Sequence, residues 1–215
     1  MDELTLIQKI VVWVIPVVFA ITVHEVAHGW VAKLYGDKTA WMLGRLTLNP
    51  IKHIDLVGTI LVPGLMLAFT GFVFGWAKPV PVNIRNLRNP KHDMAIVALA
   101  GPASNLLMAL GWALFARLGL AISIPEITVP MAYVGIAGIM INLILALLNL
   151  LPIPPLDGSR ILSWALPGRW SLYYDQFEKY GFYLLVLLLM TDSLGVFLGY
   201  PLAITQRFFF SIAGL

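Results

Sequence analysis

The sequence predicts an all-α polytopic membrane protein with about four to six transmembrane helices, a re-entrant segment and a small β-like edge. Three observations lead there. Hydrophobic residues make up 60% of the 215-residue chain and charged residues 12%, against about half and a quarter in a soluble domain. Several apolar runs reach the ~20 residues that cross a bilayer. The runs are separated by short stretches in which the basic residues gather.

In chain order, the first span covers about Leu6 to Leu34, and Val11 to Val23 within it holds one hydroxyl, Thr22, and no charge. It lacks a small-residue cleavage site, so it does not read as a removable signal peptide. Tyr35 to Asp55 is polar, and Thr39 to Leu48 alternates like a strand. Leu56 to Trp76 is apolar but interrupted by Gly58, Pro63, Gly64, Gly71 and Gly75. Lys78 to Asn83 reads as an extended edge, because its prolines cannot donate to a ladder. Met94 to Leu120 and Pro130 to Leu151 are uninterrupted spans. The prolines of Leu151 to Gly158 then break the helix, and a short amphipathic piece follows. Phe177 to Met190 and Leu194 to Leu215 are apolar; they form either two spans or one span with an interfacial helix.

Charge orients these segments. Lys33, Lys38, Arg45 and Lys52 precede Leu56, and Lys78, Arg85, Arg88 and Lys91 precede Met94. The loop Ala121 to Val129 has no basic residue and carries Glu126. By the positive-inside rule the two basic stretches face the cytoplasm and the Glu126 loop faces outward. The Met94 span then runs outward, and the Pro130 span returns and brings Asp157 to the cytoplasmic side. Leu56 to Trp76 must begin and end on that side, so it is re-entrant or interfacial. Its glycines and Pro63 suit broken backbone packed within protein. The net charge of +3 gives no ground for a nucleic-acid partner, and the absence of cysteine excludes thiolate ligands, disulfides and cysteine nucleophiles.

The chemistry is concentrated in His24-Glu25-Val26-Ala27-His28, inside the first span. Residues four apart share a helix face, so both imidazoles can hold one metal ion, with Glu25 beside them as a general base. Ionisable groups within a span are costly and are read as functional. A zinc site of this kind needs a third protein ligand. His53, Asp55, His92, Asp93, Asp157 and Asp175 are candidates. Asp157 stands out because it follows the helix break at the same membrane face, yet Asp-Gly-Ser is equally an N-cap signal; the residues alone leave ligand and cap level. Asn142 and Asn149 share a face of the Pro130 span, and Asn149 lies near the depth of the histidines, where it can serve an oxyanion or a substrate carbonyl. Gly101 and Asn105 on the Met94 span read from composition as close helix packing and an added polar donor.

Taken together these motifs resemble the site-2 protease family of intramembrane zinc metalloproteases. His24-Glu25-x-x-His28 resembles its zinc motif, and Asn149-x-x-Pro152-x-x-x-x-Asp157-Gly158 its second signature, in which the Asp is the third ligand. Gly101-x-x-x-Asn105 resembles its central-helix motif. Gly44-Arg45, Asn49-Pro50, His53-x-Asp55 and Gly75 to Asn83 resemble the linkers of its compact bacterial and archaeal members, without PDZ or CBS domains. The resemblance implies one membrane-embedded domain over 1–215, with a catalytic core at about 6–160 and C-terminal helices at about 175–215. It implies one Zn²⁺ per chain held by His24, His28 and Asp157, catalysis by Glu25 with Asn149, and substrate contacts at Asn105 and Gly101. The implied substrate is a transmembrane protein segment in the lipid bilayer of a prokaryotic cell, cut toward the cytoplasmic side. The strand at Trp41 to Leu48, or the edge at Val80 to Asn83, would hold that substrate extended. An ion transporter is the alternative from another class, but it would more often show an internal repeat.

Overall fold

The computed structural model describes residues 5–70, 75–122, 124–191 and 193–215. The first helix, α1 (Leu6–Leu34), opens with a capping box. The Thr5 side chain accepts from the Gln8 N–H and the Gln8 side chain accepts from the Thr5 N–H, which satisfies two donors that a helix start leaves without partners. Two long antiparallel helices, α4 (Pro90–Ile122) and α5 (Pro125–Asn149), form the centre of the molecule, and α1 packs across both. With α9 (Ser193–Ala213) they make four described helices long and apolar enough to cross a membrane.

Small residues set how closely these helices approach. Ala109, Ala113 and Ala116 of α4 are fully buried against Ile139 and Leu143 of α5, and Phe209 and Ala213 of α9 close the cluster. A Cβ at Gly135 would lie 2.6 Å from the Ala116 Cβ, and one at Gly138 would lie 2.3 Å from the Trp112 ring. Lipid tails are as apolar as leucine, so close packing of this kind, not exclusion from water, holds such helices together.

The Leu56–Trp76 segment leaves and returns at one place. A π-helical turn at Leu56–Leu61 leads into α3 (Val62–Thr70). At the other end the Trp76 N–H donates to Gly58 O at 3.0 Å, and the Thr59 hydroxyl donates to Trp76 O at 2.9 Å. Its ends therefore meet, as the charge argument requires. Residues 71–74, which include Gly71, lie outside the described residues. The segment is a hairpin with its base beside Gly58.

The strand expected at Thr39 to Leu48 is not there. Thr39–Met42 is instead a one-turn helix, α2, and no strand occurs among the described residues. Asp37 accepts from the Thr39 N–H and hydroxyl and starts the turn. Gly44, at φ +64°, ends it. Trp41, Met42 and Leu43 are all exposed; beside a bilayer, apolar residues need no protein face to cover them, so alternation there does not report a strand. Lys78 to Asn83 does run extended, but pairs with no strand among the described residues.

Beyond α5 the chain makes a tight turn through Pro152, Pro154 and Pro155 into α6 (Asp157–Ala165), then α7 (Gly168–Gln176) and α8 (Glu178–Met190). With 13 residues α8 is about 20 Å long, too short to cross. It packs against the proline turn: a Cβ at Gly181 would lie 2.1 Å from Pro154 O. The C-terminal segment thus holds one span and one short helix.

Candidate metal centre

The periodicity of α1 brings His24 and His28 together. Their rings meet edge to face, 4.6 Å between centroids at 87°, and their Nε2 atoms are 3.0 Å apart. The helix break after α5 brings the third group. Asp157 Oδ2 lies 3.3 Å from each Nε2. Asp157 is the first residue of α6, its N-cap is Leu156, and no side chain caps that helix. The cap reading therefore fails. Gly158 permits the approach, since a Cβ there would lie 2.2 Å from Leu150 O and 2.5 Å from Leu151 O.

The protons on this cluster follow from carbonyl oxygens, which only accept. Asn142 donates from Nδ2 to Gly138 O, so its Oδ1 receives Asn105 Nδ2 at 2.9 Å. Asn105 Nδ2 also donates to Ala20 O. Its Oδ1 is therefore the acceptor facing His24 Nδ1 at 2.6 Å, and that nitrogen carries the proton. His28 Nδ1 likewise donates to Val97 O at 2.7 Å. With both imidazoles neutral, each Nε2 lone pair faces the carboxylate, so three acceptors meet with no proton to share; Asp157 Oδ2 is buried without a hydrogen-bond partner of its own. Such an arrangement calls for a cation. Tetrahedral zinc ligands at 2.0–2.2 Å stand about 3.3–3.6 Å apart, close to the 3.0 and 3.3 Å separations here. Nδ1–H bonds to a carbonyl or amide are the usual means of fixing ligating histidines. Among the described residues these three form the one cluster able to hold a metal.

The other sequence candidates fall elsewhere. Gly101 packs on the histidines: a Cβ would lie 2.4 Å from His28 Nε2 and 2.5 Å from His24 Cε1. Asn105 is fully buried and committed to His24. Asn149 is half-buried, with its amide donating to Leu145 O one turn back. His53 donates from Nε2 to Thr47 O, and Asp55 caps the turn at Leu56 by accepting from the Val57 and Gly58 N–H groups. His92 and Asp93 bond to each other. Glu25 lies beside the cluster, with Oε2 accepting the Val80 N–H at 2.7 Å.

Two features escaped the sequence reading. Asn142, noted from the sequence for sharing a face with Asn149, is the second link of the chain that orients His24. Asp37 is fully buried and accepts from Thr39, Asn83 and Asn86. Its sequence setting, Tyr-Gly-Asp-Lys after a helix, looks like an ordinary surface turn.

A protein of Bacillus subtilis (strain 168) named as a zinc metalloprotease, YwhC, is 41% identical over 193 residues, covering 88% of this chain and 84% of that protein. The family model of peptidase family M50 matches residues 118–191, across the second signature. This chain belongs to peptidase family M50. That is the site-2 protease family its motifs resemble, and the chain is accordingly a zinc metalloprotease and an integral membrane protein. Two further relatives carry similar names. Rip2 of Mycolicibacterium smegmatis, also named as a zinc metalloprotease, is 33% identical over 81% of this chain and 65% of its own length. MJ0611 of Methanocaldococcus jannaschii, named likewise, is 32% identical over 69% of this chain and 67% of its own. No solved structure matches the chain.

Proposed function

We propose that this M50 peptidase hydrolyses peptide bonds within the membrane, in transmembrane segments of other membrane proteins, and that residues 1–215 act as one membrane-embedded catalytic domain. The supporting observation is the convergence of three potential ligand atoms from His24, His28 and Asp157, beside Glu25 and next to an apolar span. From Leu34 back to His24 is about 15 Å of helix, half the hydrocarbon thickness. The basic residues before Leu56 and before Met94 support a site that opens toward the cytoplasm.

His24, His28 and Asp157 would hold the Zn²⁺. Zinc bound there supplies Lewis-acid chemistry, making water nucleophilic near neutral pH and polarising the scissile carbonyl. Glu25 accepts the proton of the attacking water at Oε1 and returns it to the nitrogen of the leaving amine. Asn105 and Val97 keep the imidazole Nδ1 protons in place, so each Nε2 stays available. Asn149, at the end of α5, turns its amide from Leu145 O to the substrate backbone. Helical carbonyls are hydrogen-bonded internally, so the substrate must unwind before it reaches the site.

Glu25→Gln tests the reading. The variant keeps its zinc and loses cleavage of a model transmembrane substrate in detergent or liposomes. Wild-type turnover by Glu25→Gln sinks the mechanism.

A further inference from the structure

Glu25 reaches from α1 to the Lys78–Asn83 segment, where its Oε2 accepts the Val80 N–H at 2.7 Å. The sequence isolates that donor. Pro79 and Pro81 flank Val80, and neither has an N–H. Polar anchors hold the segment at both ends. The Lys78 N–H donates to His53 O at 2.9 Å. The Arg45 guanidinium donates to Lys78 O at 3.0 Å and to Pro79 O at 3.4 Å. At the far end the Asn83 N–H donates to Asp37 Oδ2 at 2.6 Å. The middle sits on α1 itself: Val80 is buried, and a Cβ at Gly29 would lie 2.7 Å from its Cγ1. Gly29 is one turn beyond Glu25 on the same helix face. The missing side chain at Gly29 and the hydrogen bond at Glu25 therefore bring one segment onto one face.

We infer that Lys78–Asn83 is a strap that positions the general base, with Arg45 and Asp37 as positioning residues that act through it. A glutamate side chain has three rotatable bonds, and ordering it costs free energy at each turnover unless it is held beforehand. The Val80 N–H holds Oε2 by a charge-assisted bond and leaves Oε1 for the proton. The same contacts revise the role expected of this edge in substrate pairing. Val80 and Asn83 donate to Glu25 and Asp37, so among residues 79–83 Val82 alone keeps an N–H not given to the described protein. The strap rests on the assignment of Glu25 as base.

The test uses the full chain, zinc-loaded, with zinc content, kcat and KM measured on a model transmembrane substrate. Val80→Pro removes the N–H and Val80→Ala removes the same side-chain packing but keeps it. The kcat of Val80→Pro should fall about tenfold or more below that of Val80→Ala, the range for a hydrogen bond to a charged group, with KM and zinc content alike in the two. Arg45→Ala should lower kcat with zinc retained, and Arg45→Lys should recover part of the loss, because an ammonium can still reach one carbonyl. Equal kcat for Val80→Pro and Val80→Ala overturns the strap. If Val80→Pro fails to retain zinc, the Arg45 pair decides, and a wild-type kcat in Arg45→Ala overturns it. A Glu25→Gln variant that still cleaves removes the base and the strap together. An inactive Glu25→Gln beside matched Val80 variants removes the strap alone.

Discussion

At Gly101 a single methyl group would occupy the space the metal needs. Its Cβ would lie within 2.5 Å of both imidazoles, and the backbone of α4 cannot retreat, because Pro102 and Asn105 beside it are fully buried. Gly101→Ala should therefore lose zinc and activity together, as read by metal analysis of the purified protein. Asn105→Ala should act more gently. It strips the acceptor from His24 Nδ1 and frees the ring to adopt the other tautomer, and loss of such an outer partner typically lowers metal affinity about 10–100-fold. A competitive chelator titration measures it. Asp37 carries a different prediction. Burial pushes its carboxyl up, but the hydrogen bonds from Thr39, Asn86 and Asn83 outweigh burial and hold it below the usual carboxylate range. Asp37 thus binds a proton less readily folded than unfolded, so its contribution is present above about pH 3.9 and is lost as pH falls through the lower folded value. Asp37→Ala should cost about 1–3 kcal/mol at neutral pH by stranding buried donors. Thermal unfolding scans should show the gap between wild type and Asp37→Ala closing in acid.

Among the elements, those governed by one period were legible and those governed by a bilayer were not. The histidine pair follows from 3.6 residues per turn, and the turn that brings Asp157 to them follows from the prolines at 152, 154 and 155. The Leu56–Trp76 hairpin followed from charge alone, since basic residues on both sides of it forbid a crossing. The expected strand at Thr39 to Leu48 failed because Trp41 to Leu43 are exposed and their apolar character does not mark a buried strand face. The role of Asn105 was missed because its partner His24 lies 81 positions away, and the bond to Glu25 was invisible because its donor is a backbone N–H. The hairpin makes its own prediction. Cysteines placed at Lys38 and at Arg88, in a chain that has none, should react with a membrane-impermeant maleimide from one face only. The two loops are bonded, with the Arg88 N–H donating to Tyr35 O at 3.2 Å, so labelling from opposite faces would break the topology.

Across the whole molecule, hydrolysis needs water at a depth where α1 offers none. Beyond Glu25, Asn105 and Asn142, the polar groups expected to line a path to that depth are Asn149, the backbone of the 150–157 turn and the base of the hairpin. They also form one packed unit. Trp76 at the hairpin base meets the Phe182 ring of α8 edge to face, 5.9 Å between centroids. Gly181, next to Phe182, seats α8 on Pro154. Arg160, one turn after Asp157, is paired with Glu178 at the start of α8. Hairpin base, α8 and the Asp157 turn are therefore joined through side-chain contacts, so movement of the hairpin base against α8 is the expectation to test for substrate entry. Movement of this sort commonly limits turnover without touching the chemistry. Replacing Trp76 and Phe182 with cysteines creates a unique pair, which a short bis-maleimide can bridge. The bridged protein should keep its zinc and lose about tenfold or more in kcat, while the unbridged double variant sets the baseline. Unchanged cleavage after bridging would mean that substrate enters by another side, with the metal site intact and the hairpin no lid.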